Sequence, residues 1–257
     1  MSSSNAWYLR CGPEDVGESA VLVGDRGRVL LAADLLDDAV ILNEDRGLTT
    51  ATGYHEGQRI TVSAFGMGAP IAAVVMHELA GLGVRRFVRL GTVMTLGETQ
   101  LGELVVAHGA VRGESTSASY LPVEFPAVPD FPLTAQLERS VAAAGVPTRS
   151  GIFATYDGFY TDMFETGFGS RPVAERYEAL ARVGVVAADM ETSALLVAAR
   201  ALGVAAGSLC LASVSGADNS KMEHSARVAA EAELLRAGFD ALATSAAAAD
   251  PTPVPAA

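Results

Sequence analysis

The stretch SAVLVGDRGRVLLAADLL, residues 19–36, decides how the chain folds. Its first five residues form an apolar run too short for a helix, and Gly24 closes that run. Apolar residues at helical spacing follow directly. Strand, glycine turn and helix in that order open an α/β domain. The same grammar recurs downstream. Residues 38–47 and 58–68 are strand candidates, with a strand and hairpin turn between them at 49–57. Residues 70–83 have the length and composition of a helix, and Pro70 is tolerated in its first turn. Strands are expected again at 85–91, 102–113 and 205–216, a strand running into a loop at 148–160, and helices at 133–145, 171–184 and 223–246. The segment 185–203 passes from a short strand into a helix, with Asp189 as a candidate N-cap. Residues 113–132 hold four prolines among aromatics and hydroxyls, the composition of an ordered loop. Strand, loop and helix units in series imply a mixed or parallel sheet covered on both faces, a three-layer α/β/α arrangement. No internal repeat or composition shift divides the chain, so one domain is expected over residues 1–246. The proline- and alanine-rich residues 247–257 are expected to be a disordered tail.

Bulk properties narrow the function classes. The 257 residues carry 18 Lys and Arg against 30 Asp and Glu, a formal charge of -12. Such a surface repels nucleic acid backbones and anionic membranes, but a local arginine cluster can still reverse the field inside one pocket. Cys11 and Cys210 stand far apart and form neither a disulfide framework nor a metal motif. No signal sequence and no membrane span is legible, so a cytoplasmic enzyme is expected. The four histidines share no metal spacing, and no G-x-S-x-G elbow is present.

A few positions could carry chemistry. Gly24 and Arg28 stand where a strand end meets a helix N-terminus, which is either an anion cradle or an ordinary turn with a solvent-facing arginine. Arg89 lies inside a segment that otherwise reads as a buried strand. A guanidinium there needs an acid partner or a bound anion. Arg46, in NEDRG, is a further basic candidate beside Glu44 and Asp45. Glu191, in ADMETSALL, opens a helix, where its carboxylate serves either the helix dipole or a vicinal diol. Met190 beside it is core filler or a surface for a sugar.

Taken together, GDRGRV (24–29), NEDRG (43–47), GMGAP (66–70), RLGT (89–92), VEFPAVPDF (123–131), DGFY (157–160) and ADMETSALL (188–196) form a pattern. In that order they resemble the nucleoside phosphorylases of the uridine phosphorylase branch, from about residue 9 to about residue 245. The resemblance implies a central mixed sheet closed partly into a barrel, and a hexamer built from three dimers. It implies phosphate binding by Gly24, Arg28, Arg89 and Thr92, with Arg46 lent by the neighbouring subunit. Met190 and Glu191 match the ribose-binding pair, Tyr8 matches a residue lent to the ribose 5′ end, and Phe159 matches the aromatic beside the base. Inorganic phosphate is the implied co-substrate, with no cofactor. The products would be a free base and ribose 1-phosphate.

The base end departs from the family pattern. Met163 and Glu165 occupy the positions where uridine phosphorylases read uracil with a glutamine and an arginine. Met163 lacks the paired amide contacts, and Glu165 would repel a leaving base unless protonated or turned away. Asp218, in SVSGADNSK, is either a general acid reaching a purine or a surface turn residue. Lys221 falls near an arginine that supports uracil recognition. Gly47 and Ile71 replace the family's cation ligands, so no metal is assigned. The leading expectation is a nucleoside phosphorylase of open base preference. A purine or modified-nucleoside phosphorylase, a nucleoside hydrolase and a non-catalytic nucleoside-binding protein are the competing readings. Alanine at Arg89 is expected to cripple phosphate use and leave the fold largely intact.

Overall fold

A computed structural model describes residues 5–169 and 172–246. The tail expected at 247–257 lies outside the described residues. Among the described residues nine strands join in one sheet in the order β2-β3-β4-β1-β5-β8-β7-β6-β9, with β9 also pairing back onto β5. In chain order they are β1 (Ser19–Val23), β2 (Asp37–Asn43), β3 (Thr50–His55), β4 (Gln58–Ala64), β5 (Arg86–Thr95), β6 (Leu104–Gly113), β7 (Thr148–Tyr156), β8 (Val185–Asp189) and β9 (Ala205–Ser215). The helices are α1 (Arg26–Leu35), α2 (Ala69–Gly81), α3 (Phe131–Ala144), α4 (Val173–Arg182), α5 (Thr192–Leu202) and α6 (His224–Ala246).

The opening strand shows why the sheet must be covered twice. All of β1 is buried, and it lies parallel to both β4 and β5. Alternate residues of a strand point to opposite faces. Val21 and Val23 pack with Val29 and Ala32 of α1, Leu133 and Leu137 of α3, and Leu234 and Phe239 of α6. Ala20 and Leu22 pack instead with Val75 and Leu79 of α2 and Leu195 and Leu196 of α5. One continuous apolar run thus serves two separate helix layers, as parallel sheets require.

Beyond β5 the sheet curls. Strands β5, β8, β7, β6 and β9 form a ring, because β9 pairs antiparallel with β6 and parallel with β5. An irregularity between Val93 and Met94 bends β5 where it leaves β1 and meets β8. The inward side chains of this five-stranded barrel form their own cluster, including Val93, Val105, Phe153, Ala187 and Cys210. Helix α4 covers the outside through Val173 and Tyr177, which pack with Met94, Tyr156 and Met163.

Local signals set the helix ends. Asp25 caps α1 through Gly27 N–H, and Asp130 caps α3 through Leu133 N–H at 3.0 Å. Left-handed Gly145 and Gly203 terminate α3 and α5. The proline-rich connection after β6 is ordered, with only one short 3₁₀ turn at Ser117–Ser119, because Arg112 ties it down. Its guanidinium donates to Ser117 Oγ and to the carbonyls of Leu121, Pro122 and Phe125.

Candidate functional site

A cavity of about 680 Å³ opens where the ends of β1, β5, β8 and β9 meet α1 and the start of α6. Gly24, Arg28, Arg89, Thr92, Phe159, Met163, Met190, Glu191 and Lys221 all line it. These residues span almost 200 positions of sequence, so the fold alone assembles them.

Gly24 follows β1 directly, and a side chain there would press on the carbonyl of Gly66. Arg28 sits in the first turn of α1 and is only 4% exposed, so it is no solvent-facing turn residue. Its Nη2 pairs with Glu231 Oε1 at 2.8 Å and its Nη1 donates to Leu90 O at 3.2 Å, while Nε has no partner. Arg89 projects from β5 and is 5% exposed. Its Nη2 pairs with Glu191 Oε2 and lies 3.4 Å from Asp189 Oδ2, and its Nη1 donates to Cys210 Sγ at 2.6 Å. Its Nε, like that of Arg28, is buried without a partner.

Gly91 makes the Arg89 conformation possible. Residues 89 and 91 share one face of β5, and a Cβ at Gly91 would collide with the Arg89 guanidinium. Burial disfavours the charge on Arg89, and Cys210, Asp189 and Glu191 more than restore it, raising its pKa above the usual value. Burial also pushes the Cys210 thiol up despite the opposing pull of Arg89.

Those carboxylates divide their work. Asp189 accepts from Thr155 Oγ1 at 2.8 Å and from the Thr192 backbone N–H at 3.1 Å. It thus satisfies the start of α5, although the N-cap position itself belongs to Glu191. Glu191 turns its side chain into the cavity, where Oε1 accepts from Gly68 N–H at 2.7 Å. A carboxylate held at one oxygen by a backbone N–H and at the other by a guanidinium is fixed in position. It can exchange either donor for a hydroxyl pair.

An apolar group adjoins the charged one. Met163, Met94, Phe164, Met190 and Val214 pack as one cluster, and Phe159 lies against Phe164 with ring centroids 4.7 Å apart. Phe159, Tyr160 and Met163 come from a single short helical turn after β7. The cavity therefore pairs an anion-compatible, arginine-bearing region with a flat apolar region suited to a ring.

Four expected site residues lie outside the cavity lining. Tyr8 and Arg46 sit together, with Arg46 Cζ 5.3 Å from the centre of the Tyr8 ring. Glu165 is turned away, and its Oε2 accepts from Val173 N–H at 2.8 Å at the start of α4. Asp218 is fully exposed in the turn after β9. Hydrogen bonds from Ser215 and then Ser220 pull its pKa down to about 2. Glu231, Cys210, Gly91 and Arg227 belong to the site or its support without having been singled out in the sequence.

Residues 18–246 match the family model described as the phosphorylase superfamily. Among curated relatives, a uridine phosphorylase from Thermococcus kodakarensis is 32% identical over 242 residues, covering 91% of this chain and 87% of the relative. A guanosine phosphorylase from Halorubrum lacusprofundi is 33% identical over 197 residues, covering 76% of this chain and 78% of the relative. Among solved structures, a uridine phosphorylase from Vibrio fischeri ES114 superimposes with a TM-score of 0.83 at 25% identity. That superposition covers 95% of this chain and 99% of the other.

Proposed function

This chain belongs to the phosphorylase superfamily and is a nucleoside phosphorylase of the uridine phosphorylase-like kind, and on that premise we propose how its cavity divides the work. Phosphate binds among Gly24, Arg28, Arg89 and Thr92. Ribose lies against Met190 with its vicinal hydroxyls on Glu191. The base lies against Phe159 and Met163. The observation that carries this reading is that one cavity gathers an arginine-rich region, a fixed carboxylate and an apolar shelf.

In this arrangement phosphate attacks C1′ of the nucleoside as the glycosidic bond lengthens. The electron pair of that bond leaves with the base, and the sugar acquires oxocarbenium-like positive charge. The bound phosphate dianion faces that charge and becomes the phosphate of ribose 1-phosphate. Arginines that hold the dianion in line supply orientation and electrostatic preorganisation. No covalent intermediate on the enzyme enters the sequence, and no cofactor takes part.

The base shelf is mainly apolar, with Lys221 and Ser213 as nearby polar groups. A base is held there chiefly by stacking and desolvation rather than by a paired amide. Asp218 is given no role as a general acid, because it stands exposed in the turn after β9, outside the cavity lining. Asp218→Asn is accordingly expected to leave kcat for purine and pyrimidine nucleosides within about two-fold of the parent. A drop of two orders of magnitude with purines alone would reinstate it as the acid.

Subunit sharing belongs to the same proposal. Arg46 and Tyr8 pair with each other outside the lining of their own cavity, and a second copy of the chain receives them at its phosphate and ribose 5′ positions, in dimers that build a hexamer. Support for a cytoplasmic setting comes from Cys11 and Cys210, both buried free thiols. The deciding experiment measures free base released from uridine, thymidine, inosine, adenosine and guanosine, with and without inorganic phosphate. Release that requires phosphate is expected from at least one of them, and the responsive nucleoside names the base. Equal release without phosphate would make the protein a hydrolase, and none from any nucleoside would leave a binding role.

A further inference from the structure

The cavity's two innermost arginines are already neutralised by the protein. Arg28 is paired with Glu231, and Arg89 with Asp189 and Glu191. Their buried, unpartnered Nε groups can still donate to an anion, but they bring little surplus charge with them. A phosphate dianion buried beside three carboxylates needs more positive charge than the single Arg46 proposed to come from a second copy.

Arg227 offers it. It lines the same cavity from the first turn of α6, and its side chain is 39% exposed. Its Nη1 lies 3.9 Å from Glu231 Oε1, the same oxygen that Arg28 holds at 2.8 Å. Two guanidinium groups therefore share one carboxylate oxygen, and the nearer one takes most of its charge. Helix α6 adds nothing of its own to anion binding, because Glu223 already accepts from the Ser225 and Ala226 N–H groups at its start. Among the described residues Lys221 is a second exposed cavity cation, one without an ion pair, but its neighbour across the β-bridge is Val214, a member of the apolar cluster.

Resting on the phosphorylase reading above, we propose that Arg227 is a further phosphate-binding residue. It moves off Glu231 onto the anion at Arg28 and adds, within the same chain, to the charge that Arg46 of a second copy brings. Phosphate then exchanges a weak contact at 3.9 Å for a direct, charge-assisted one.

The test is calorimetric binding of inorganic phosphate to the assembled full-length enzyme, its R227A and R227K variants, and steady-state kinetics on all three. R227A is expected to weaken phosphate binding and raise KM for phosphate by about 10-fold, with KM for the nucleoside and the melting temperature little changed. R227K should recover most of the loss, because it keeps the charge, whereas a purely structural arginine would not be rescued in this way. Phosphate affinity in R227A equal to that of the parent overturns the inference and leaves the phosphorylase reading standing. A parent enzyme that binds no phosphate overturns both.

Discussion

Alanine in place of Arg89 is expected to lower kcat/KM for phosphorolysis by about 10³-fold. It is also expected to destabilise the fold by about 3–5 kcal/mol. The first effect follows from losing a donor fixed beside the dianion. The second was not legible in the sequence, which suggested that the fold would survive largely intact. Removing Arg89 strands Asp189 and Glu191, buried at 2% and 5% exposure, without the cation that both face. It also frees Cys210 Sγ and opens the space above Gly91. Lysine is a poor substitute, since one ammonium cannot reproduce a fork that reaches Glu191 on one side and Cys210 on the other. Urea denaturation and phosphate-dependent kinetics, run on the same preparation, separate the two effects. Phosphorolysis retained to within about ten-fold of the parent would remove Arg89 from the phosphate site.

The contrast between Arg28 and Arg89 shows how far local patterns reach. Arg89 announced itself, because a charge inside an apolar strand is costly wherever the strand is buried. Arg28 did not, since residues 24–29 read equally well as an exposed turn. What buries it is Glu231, 203 positions away in the chain, and no short-range pattern carries that pairing. Arg227 and Glu231 stand four apart on a helix, a spacing that by itself suggests only a solvated pair.

The fold divides along the same line. Strand β1, its turn and α1 are legible because strand period, glycine and helix period follow one another within 18 residues. Barrel closure is legible only through the family resemblance, because it depends on β9 meeting both β5 and β6. Strand β5 runs on to Thr95, past the apparent stop at Gly91, and the bend at Val93 and Met94 gives the barrel its curvature. Glu165 has the sequence position of a base reader, yet its carboxylate serves the start of α4. A carboxylate near a helix start finds unpaired N–H groups close at hand, and that local reward outweighs a place on a mainly apolar shelf.

Glutamine in place of Glu191 is expected to lower kcat/KM by about 10²-fold while costing about 1–3 kcal/mol of stability. The substitution preserves size and shape, so its effect isolates charge and hydrogen-bond polarity. Glu191 accepts at both oxygens, from Gly68 N–H at Oε1 and from Arg89 at Oε2. A glutamine side chain has one accepting oxygen and one donating NH₂ group. Whichever way the amide is turned, its NH₂ faces either the Gly68 N–H or the Arg89 guanidinium, and one donor is left opposed to another. With the NH₂ toward Gly68, the loop carrying Gly66 and Met67 loses its anchor at the cavity rim. With the NH₂ toward Arg89, that guanidinium keeps only Asp189 as a charged partner. In both orientations a vicinal diol loses the anionic double acceptor that the proposed ribose site needs. The loss should therefore fall on nucleoside binding and turnover together, and phosphate binding measured without nucleoside should change much less than it does in R89A. An E191Q enzyme with parental KM and kcat for its nucleoside would mean that the sugar hydroxyls are held elsewhere. Glu191 would then serve only to fix Arg89 and Gly68.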